Sequence, residues 1–166
     1  MIQRVQTIYL LLVVILGVVL FFLPVVAFTT PYEAGVQRMF ELGALGLEEL
    51  TDDYSFTGLI LKPVTLSGTG VLAVATLLIP VLALVIVFLY RRRILQARLC
   101  LFLAAFCAGY YGVLGVFIWF GKRQVAPDWD MLFGSCIPLI CLVLTLMSAR
   151  LILKDEAKVR AADRLR

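Results

Sequence analysis

The chain has 166 residues and a formal net charge of +4, and 63% of its residues are hydrophobic while only 16% are charged. Soluble globular domains average roughly 45–50% apolar and about 25% charged residues. The composition therefore excludes an ordinary soluble domain. The basic balance does not indicate nucleic-acid binding, because the Lys and Arg residues are not interleaved with aromatic ones.

Four long apolar stretches contain no Asp, Glu, Lys or Arg: residues 8–28, 71–90, 99–120 and 131–149. Each has about 20 residues, the length that a helix needs to cross a hydrocarbon core of ~30 Å. The sequence therefore predicts an all-α membrane protein, a single domain over residues 1–166 that forms a four-helix transmembrane bundle. An outer link at 29–70 forms a small extracytoplasmic cap with short β-strands, and residues 150–166 form a cytoplasmic tail.

The first stretch has a signal peptide as its alternative. A signal peptide has a basic start, an apolar run of ~7–15 residues and a small-residue cleavage site. This stretch is longer, Arg4 is its only preceding charge, and Val25-Val26-Ala27-Phe28 is a poor cleavage site. We expect a retained span.

Proline interrupts three of the stretches, at Pro24, Pro80 and Pro138. Proline removes a backbone donor and clashes with the preceding helical turn, so each is expected to kink or cap its helix. Pro80 lies mid-span and is the kink candidate. Such a kink serves either packing geometry, which we favour, or a gate hinge.

The outer link begins with an amphipathic segment from Val36 to Leu50 that Gly43 and Gly46 break. Residues 54–61 are rich in aromatic and β-branched side chains and predict a strand. Its simplest partners are residues 64–66 or 28–32, and its apolar face should rest on the outer ends of the spans. An acidic cluster at the end of this segment and just beyond it lacks the ligand spacing of a calcium loop, so it is interpreted as a solvated face; it consists of Glu48, Glu49, Asp52 and Asp53.

The third stretch has a small-residue face. Its helix-packing candidates are Ala104, Ala108, Gly112 and Gly115. Small residues let helix backbones approach closely where lipid gives no hydrophobic drive to associate. We favour an intramolecular partner for this face, with another subunit as the alternative. The hydroxyls of Tyr110 and Tyr111 need partners at this depth, so at least one should point into protein.

Cysteine and histidine usage predicts no cofactor and no metal site. Cys100, Cys107, Cys136 and Cys141 form no C-x-x-C pair, and the chain has no His. A thiol-redox motif, an imidazole-held haem and a mixed Cys/His zinc site are therefore not indicated. Buried structural thiols are expected.

Basic residues predict the orientation. Eleven of the 15 Lys and Arg residues lie at the N-terminus, between the second and third stretches, or after the fourth. Basic residues near span ends stay cytoplasmic, so both termini should be inside and the acidic link outside. The topology determinants are Arg91, Arg92, Arg93 and Arg98.

Three segments resemble a known family: MIQRVQTIYL at residues 1–10, LQARLC at 95–100 and KDEAKVRAADRLR at 154–166. They are similar to domain of unknown function family 4293, a family of bacterial four-span membrane proteins. The resemblance implies that topology over the whole chain and a place in the bacterial inner membrane. It implies no activity, so no functional residues are carried over.

The predicted function is a non-enzymatic accessory or scaffold subunit of a membrane assembly. Ionisable residues inside a membrane are costly and usually functional, and the four stretches contain none. The alternative is a small channel or transporter for a neutral or apolar solute, with Pro80 as hinge and the tyrosines lining a path. Besides the lipid bilayer, a protein partner would bind the outer cap or the C-terminal tail.

Overall fold

A computed structural model describes residues 3–30, 39–50, 61–64, 69–89, 93–124 and 126–164. Most of these residues are helical, and a small antiparallel sheet accompanies the helices. The helices are α1 (Gln3–Phe22), α2 (Thr69–Phe88), α3 (Arg93–Gln124) and α4 (Cys136–Arg164). The strands are β1 (Val26–Thr29), β2 (Met39–Gly43), β3 (Gly46–Leu50), β4 (Leu61–Val64) and β5 (Asp128–Met131).

Three helical segments are long and apolar enough to cross a membrane: Gly70–Phe88, Ile94–Gln124 and Phe133–Lys158. The fourth apolar helix, Gln6–Phe22, is shorter by the same measure. α3 extends beyond the predicted 99–120 at both ends, and α4 continues through the tail as far as Arg164. The four predicted apolar stretches thus each contain a helix.

Two of the predicted span boundaries were wrong, and proline explains one of them. α1 ends at Phe22 and the chain is extended from Val26, so residues 23–28 are not helical. Pro24 supplies no N–H to continue the helical ladder. In the fourth stretch Met131 belongs to β5, and α4 begins only at Cys136. Pro138 lies in the first turn of α4, where its missing N–H costs nothing, so it does not kink the helix.

The five strands form one antiparallel sheet in the order β4-β3-β2-β1-β5. β2 and β3 form a hairpin in which Gly43 faces Gly46 across a two-residue turn. Gly46 has a φ of 143°, a backbone conformation that favours glycine. One cross-strand row, Val26, Leu42 and Leu47, is fully buried, so this face of the sheet forms part of a core.

The sheet corrects several details predicted for the outer link. The amphipathic segment at 36–50 contains the β2–β3 hairpin, and its two glycines flank the turn. Of the strand predicted at 54–61, only Leu61 lies within the described residues, where it begins β4. β4 pairs with β3, and residues 26–29 pair with β2 and β5. The pairing predicted for the strand at 54–61 falls largely on residues outside the described ones. The all-α class is therefore extended by a five-stranded sheet.

The chain divides into two compact units. The first consists of Met1–Val18, Leu77–Gly109 and Pro138–Arg166, which contribute segments of all four helices. Its core contains large aliphatic side chains and three thiols from these helices: Leu10, Val13, Ile79, Ile86, Leu103, Ile152, Cys100, Cys107 and Cys141. This unit therefore consists of helical segments that share buried apolar side chains.

The second unit consists of Val19–Thr76 and Tyr110–Ile137 and contains the whole sheet. β1, from the link after α1, pairs along its length with β5, from the link after α3. The two links therefore meet in one sheet. Phe28 on β1 is the largest buried side chain of the strands, and its ring packs on Gly121 near the end of α3.

Candidate functional site

The predicted helix-packing residues on α3 divide into buried and exposed positions. Ala104 is buried, whereas Ala108, Gly112 and Gly115 are not covered by the described chain. A β-carbon at Gly112 or Gly115 would meet no atom of that part of the chain within 4 Å. These glycines therefore make no close helix contact within the described chain, unlike the intramolecular contact that we favoured. Their use in contact with another molecule stays a prediction.

The exposed face of α3 differs in composition from the exposed faces of the other three helices. Apart from Gly70 at the start of α2, the described exposed positions of α1 and α2 carry large apolar side chains, such as Ile15 and Leu84, and those of α4 include Val143. On α3 the exposed positions in the middle of the helix are all small. These five residues, Ala105, Ala108, Gly109, Gly112 and Gly115, are called the small face below.

Large side chains border the small face at both ends. Leu101 and Phe102 are exposed one turn before it, and Val116 and Trp119 follow it. The five residues span ten residue steps, or about 15 Å of helix at 1.5 Å per residue. A second helix could approach the α3 backbone along this length more closely than it could approach any large-residue face.

The buried hydroxyls of Thr76, Tyr110 and Thr145 within the apolar segments bond to the chain itself. The Thr76 hydroxyl donates to the Leu72 carbonyl oxygen at 2.8 Å, and its oxygen lies 3.4 Å from the Tyr110 hydroxyl. Because the single Thr76 proton is directed to Leu72, Tyr110 is the donor in that pair. The Thr145 hydroxyl donates to the carbonyl oxygens of Cys141 and Leu142, each at 2.9 Å. This pattern satisfies the hydroxyls without a polar path.

The two tyrosines differ in depth and in partner. Tyr110 is almost completely buried, whereas Tyr111 is half-buried and donates to the Ser135 carbonyl oxygen at 2.6 Å. Ser135 in turn donates from its hydroxyl to the Leu132 carbonyl oxygen at 2.7 Å. Both tyrosines thus point into protein, as at least one was expected to do. Tyr111 fastens α3 to the turn that precedes α4.

All four thiols are free, and three of them are buried as predicted. Cys136, on the first turn of α4, is exposed. The expectation that all four thiols are buried was therefore wrong for this residue. Cys107 on α3 faces Cys141 on α4, and Cys100 lies beside Ser148. Ser148 is fully buried and its hydroxyl has no well-formed hydrogen bond among the described residues. No group of three or more possible metal ligands occurs in that part of the chain.

Two buried glutamines join pairs of helices in the first unit, and no pattern in the sequence indicates either contact. The Gln6 side-chain amide on α1 donates to Asp155 Oδ2 on α4 at 2.7 Å. The Gln96 amide on α3 donates to the Ile86 carbonyl oxygen near the end of α2 at 3.2 Å. The Gln6 amide thus links α1 to a carboxylate on α4, and the Gln96 amide links α3 to a carbonyl oxygen in the last turn of α2.

The remaining predicted residues are the kink candidate Pro80 and the topology arginines. Pro80 is buried within a continuous α2, and its ring packs on Gly17 of α1, so the structure assigns it a packing contact; a hinge stays a prediction. Arg91 and Arg92 lie outside the described residues. Arg93 begins α3 and Arg98 is exposed on its second turn. No sequence pattern indicated Gly17, Gly121 and Gly134, where a close contact leaves no room for a β-carbon.

A comparison with curated proteins finds no match to the chain. A family model does match, and it covers residues 2–165, which is nearly the whole chain and includes all of the helices and strands described above. The chain belongs to the family described as domain of unknown function DUF4293.

Proposed function

We propose that this protein crosses the bacterial inner membrane four times, with both termini in the cytoplasm and the sheet outside. Three helices of membrane-crossing length and the 20-residue α1 support this topology. The β1–β5 pairing supports it independently, because two links that share a sheet must lie on the same side of the membrane. If α1 or α4 did not cross the membrane, its terminus would lie on the same side as the sheet. The basic residues of that terminus would then lie opposite the arginines between α2 and α3, whereas basic residues near span ends stay on the cytoplasmic side.

Aromatic and basic side chains near the end of α3 support a membrane boundary there. The Arg123 guanidinium lies 4.0 Å from the centre of the Trp119 ring, and Lys122 Nζ lies 5.1 Å from the centre of the Trp129 ring. Tryptophan is enriched at the headgroup level, where its ring has both apolar and polar surroundings. Cation–π pairs are stronger when partly removed from water, as they are at this depth.

The protein acts in this proposal as a non-enzymatic accessory or scaffold subunit, and the small face of α3 is where a transmembrane helix of its partner packs. The observation that carries the proposal is that α3 places Ala and Gly where the other described helices place large apolar residues. Lipid tails cover large and small residues alike, so lipid alone gives no reason for the difference. Close backbone approach by another helix does give one.

The alternative is a channel or transporter for a neutral or apolar solute. That function would need Pro80 to move as a hinge and the tyrosines to line a path. In the described residues Pro80 packs on Gly17 and the Tyr110 hydroxyl pairs with Thr76. These contacts favour the subunit proposal, which we therefore rank first.

Copurification in a mild detergent, followed by mass spectrometry, tests the proposal. The wild-type protein should retain a stoichiometric membrane-protein partner. Gly112→Leu should lose it, because the added side chain fills the space that the partner helix needs. The thermal midpoint of the isolated variant should stay unchanged, since no described atom lies within 4 Å of a β-carbon at residue 112.

Val74→Leu is the matched control, because it enlarges an exposed side chain on α2 outside the small face. It should keep both the partner and the thermal midpoint. A wild-type protein that is a clean monomer in mild detergent and moves solute across liposome membranes would contradict the subunit proposal and support the transporter.

A further inference from the structure

A small cavity lies in the second unit between the end of α1 and the β2–β3 hairpin. It has a volume of about 50 Å³ and opens to the outside of the chain. Residues 21–24 form one wall, and Glu41 with residues 43–46 form the other. Its walls are therefore a helix C-terminus, a carboxylate and a tight turn.

The helix wall is electrostatically negative. Pro24 has no N–H to donate to the Leu20 carbonyl oxygen. The N–H of Val25, which would otherwise reach Phe21, donates to the Leu42 carbonyl oxygen on β2 at 2.8 Å. The last turn of α1 therefore keeps carbonyl oxygens without α-helical donors, and no basic residue lies in that turn. Unpaired carbonyls give a helix C-terminus a partial negative charge that favours cations.

Glu41 adds a full negative charge to the same cavity. Its residue is half-buried on β2, and it makes no ion pair or hydrogen bond with the residues that the structure describes. A carboxylate that is partly removed from water is stabilised by a cation or by hydrogen-bond donors. The cavity thus combines two sources of negative charge with room for a positive group.

The rim of the cavity is apolar and uncovered. Phe22 at the end of α1 is 71% exposed, and Leu45 at the tip of the hairpin turn is 66% exposed. Leu23, which also lines the cavity, is exposed as well. Side chains of this size favour an apolar environment, and the end of a membrane span meets one at the boundary between acyl chains and headgroups. A ligand that contacts both the apolar rim and the negative groups of the cavity therefore has a cationic group attached to an apolar part.

We infer that this cavity binds the primary ammonium group of an aminophospholipid, with Glu41 and the C-terminal end of α1 as the negative groups and Phe22 and Leu45 against the lipid chains. The inference rests on the membrane location proposed above and adds a specific ligand to it. It concerns a site distinct from the small face of α3.

The cavity of about 50 Å³ has room for an ammonium group, and hydrogen bonding selects among organic cations. A primary ammonium group has three N–H donors for the Glu41 carboxylate and the carbonyl oxygens at the end of α1. Each added methyl group removes one donor, so a trimethylammonium group has none. Calcium takes six to eight oxygen ligands, typically several carboxylates, and this cavity offers a single carboxylate.

Thermal unfolding in nanodiscs of defined lipid tests the inference. Discs contain a phosphatidylcholine background with phosphatidylethanolamine or its mono- and dimethylated forms added in equal amounts. The thermal midpoint of the wild-type protein should be highest with the unmethylated lipid and should fall with each methyl group. Native mass spectrometry should show about tenfold weaker retention of that lipid by Glu41→Gln, because a charge-assisted hydrogen bond becomes a neutral one.

Glu41→Gln should melt like the wild type in pure phosphatidylcholine, which shows that it folds, and should lose the dependence on methylation. Asp130→Asn, an exposed carboxylate on β5 outside the cavity, should keep that dependence. A preference for the unmethylated lipid that survives Glu41→Gln would overturn the inference. So would an equal rise of the midpoint with calcium or magnesium alone, which would assign the cavity to a free cation. Failure to enter any nanodisc would overturn the membrane location as well.

Discussion

The ring of Pro80 fills the space above Gly17. A β-carbon at residue 17 would lie 2.8 Å from Pro80 Cδ and 3.1 Å from the Pro80 backbone nitrogen, closer than non-bonded atoms normally approach. α1 and α2 are therefore in close contact at this point of the first unit. The sequence predicts a kink at Pro80. The structure shows that Pro80 packs on Gly17, a contact that the presence of a proline does not predict.

Gly17→Ala should destabilise the protein, because the new methyl group must displace a rigid ring and a backbone atom. Overpacking of this kind costs about 1–3 kcal/mol. The measurement is the thermal midpoint in mild detergent. Gly109→Ala is the matched control, since it lies mid-helix in the same unit with no described atom within 4 Å of its β-carbon. Equal effects of the two substitutions would show that α1 does not pack on Pro80.

Gly121→Ala should loosen the sheet, because its β-carbon would occupy the position of the Phe28 ring. Amide hydrogen exchange over β1 should become faster than in the wild type. Phe28→Leu in the same chain should restore part of the protection by making room. The two effects should therefore be non-additive, as expected for residues in contact. Additive effects would indicate that the ring and the glycine do not touch.

Asp155→Ala should weaken the attachment of the α4 extension to α1. It leaves the buried Gln6 amide without its acceptor, at a cost of about 1–3 kcal/mol. Asp155→Asn keeps a carbonyl oxygen as acceptor and should retain most of the stability. Limited proteolysis of the extension reports the difference, with the exposed Lys154→Ala as control. If Asp155→Ala and Lys154→Ala are cut at the same rate, the Gln6 contact does not hold the extension.

The cysteines should be dispensable for folding. Replacing all four with Ala removes three buried thiols and one exposed thiol, and we expect only small packing losses and no change in metal content. In the wild-type protein a membrane-permeant maleimide should label Cys136 first, and the other three only after denaturation. Prompt labelling of Cys107 or Cys141 in the folded protein would contradict the packing of α3 against α4.

The positions of the helices could be predicted because each apolar stretch has about the 20 residues that a helix needs to span a hydrocarbon core. Apolar stretches of this length without charges rarely form any other structure. The helix ends were harder to predict. The Val26–Thr29 segment is as apolar as the helix before it, and only Pro24 separates the two. The pairing of β1 with β5 joins residues about 100 positions apart in the chain, and no local pattern of residues indicates such a contact.

The small residues of α3 illustrate a second limit. Their spacing predicts a face, since residues three and four apart lie on one side of a helix. Spacing does not indicate whether that face lies against the rest of the chain or away from it. The sequence therefore could not predict that Ala104 is buried and Gly112 is exposed. The glycines that do make close contacts, Gly17 and Gly121, lie opposite a single ring each and belong to no periodic pattern.

In the proposed topology, four spans place both termini on one side of the membrane and the sheet on the other. The most direct measurement adds Asp128→Cys or Lys158→Cys, both exposed positions, to the cysteine-free protein with an N-terminal epitope tag. The cells are stripped of their outer membrane while the inner membrane stays sealed. A membrane-impermeant maleimide should then label residue 128 but not residue 158, and an antibody should bind the tag only after the inner membrane is permeabilised. Labelling of both cysteines in sealed cells, or a tag exposed on the same side as residue 128, would contradict the four-span topology.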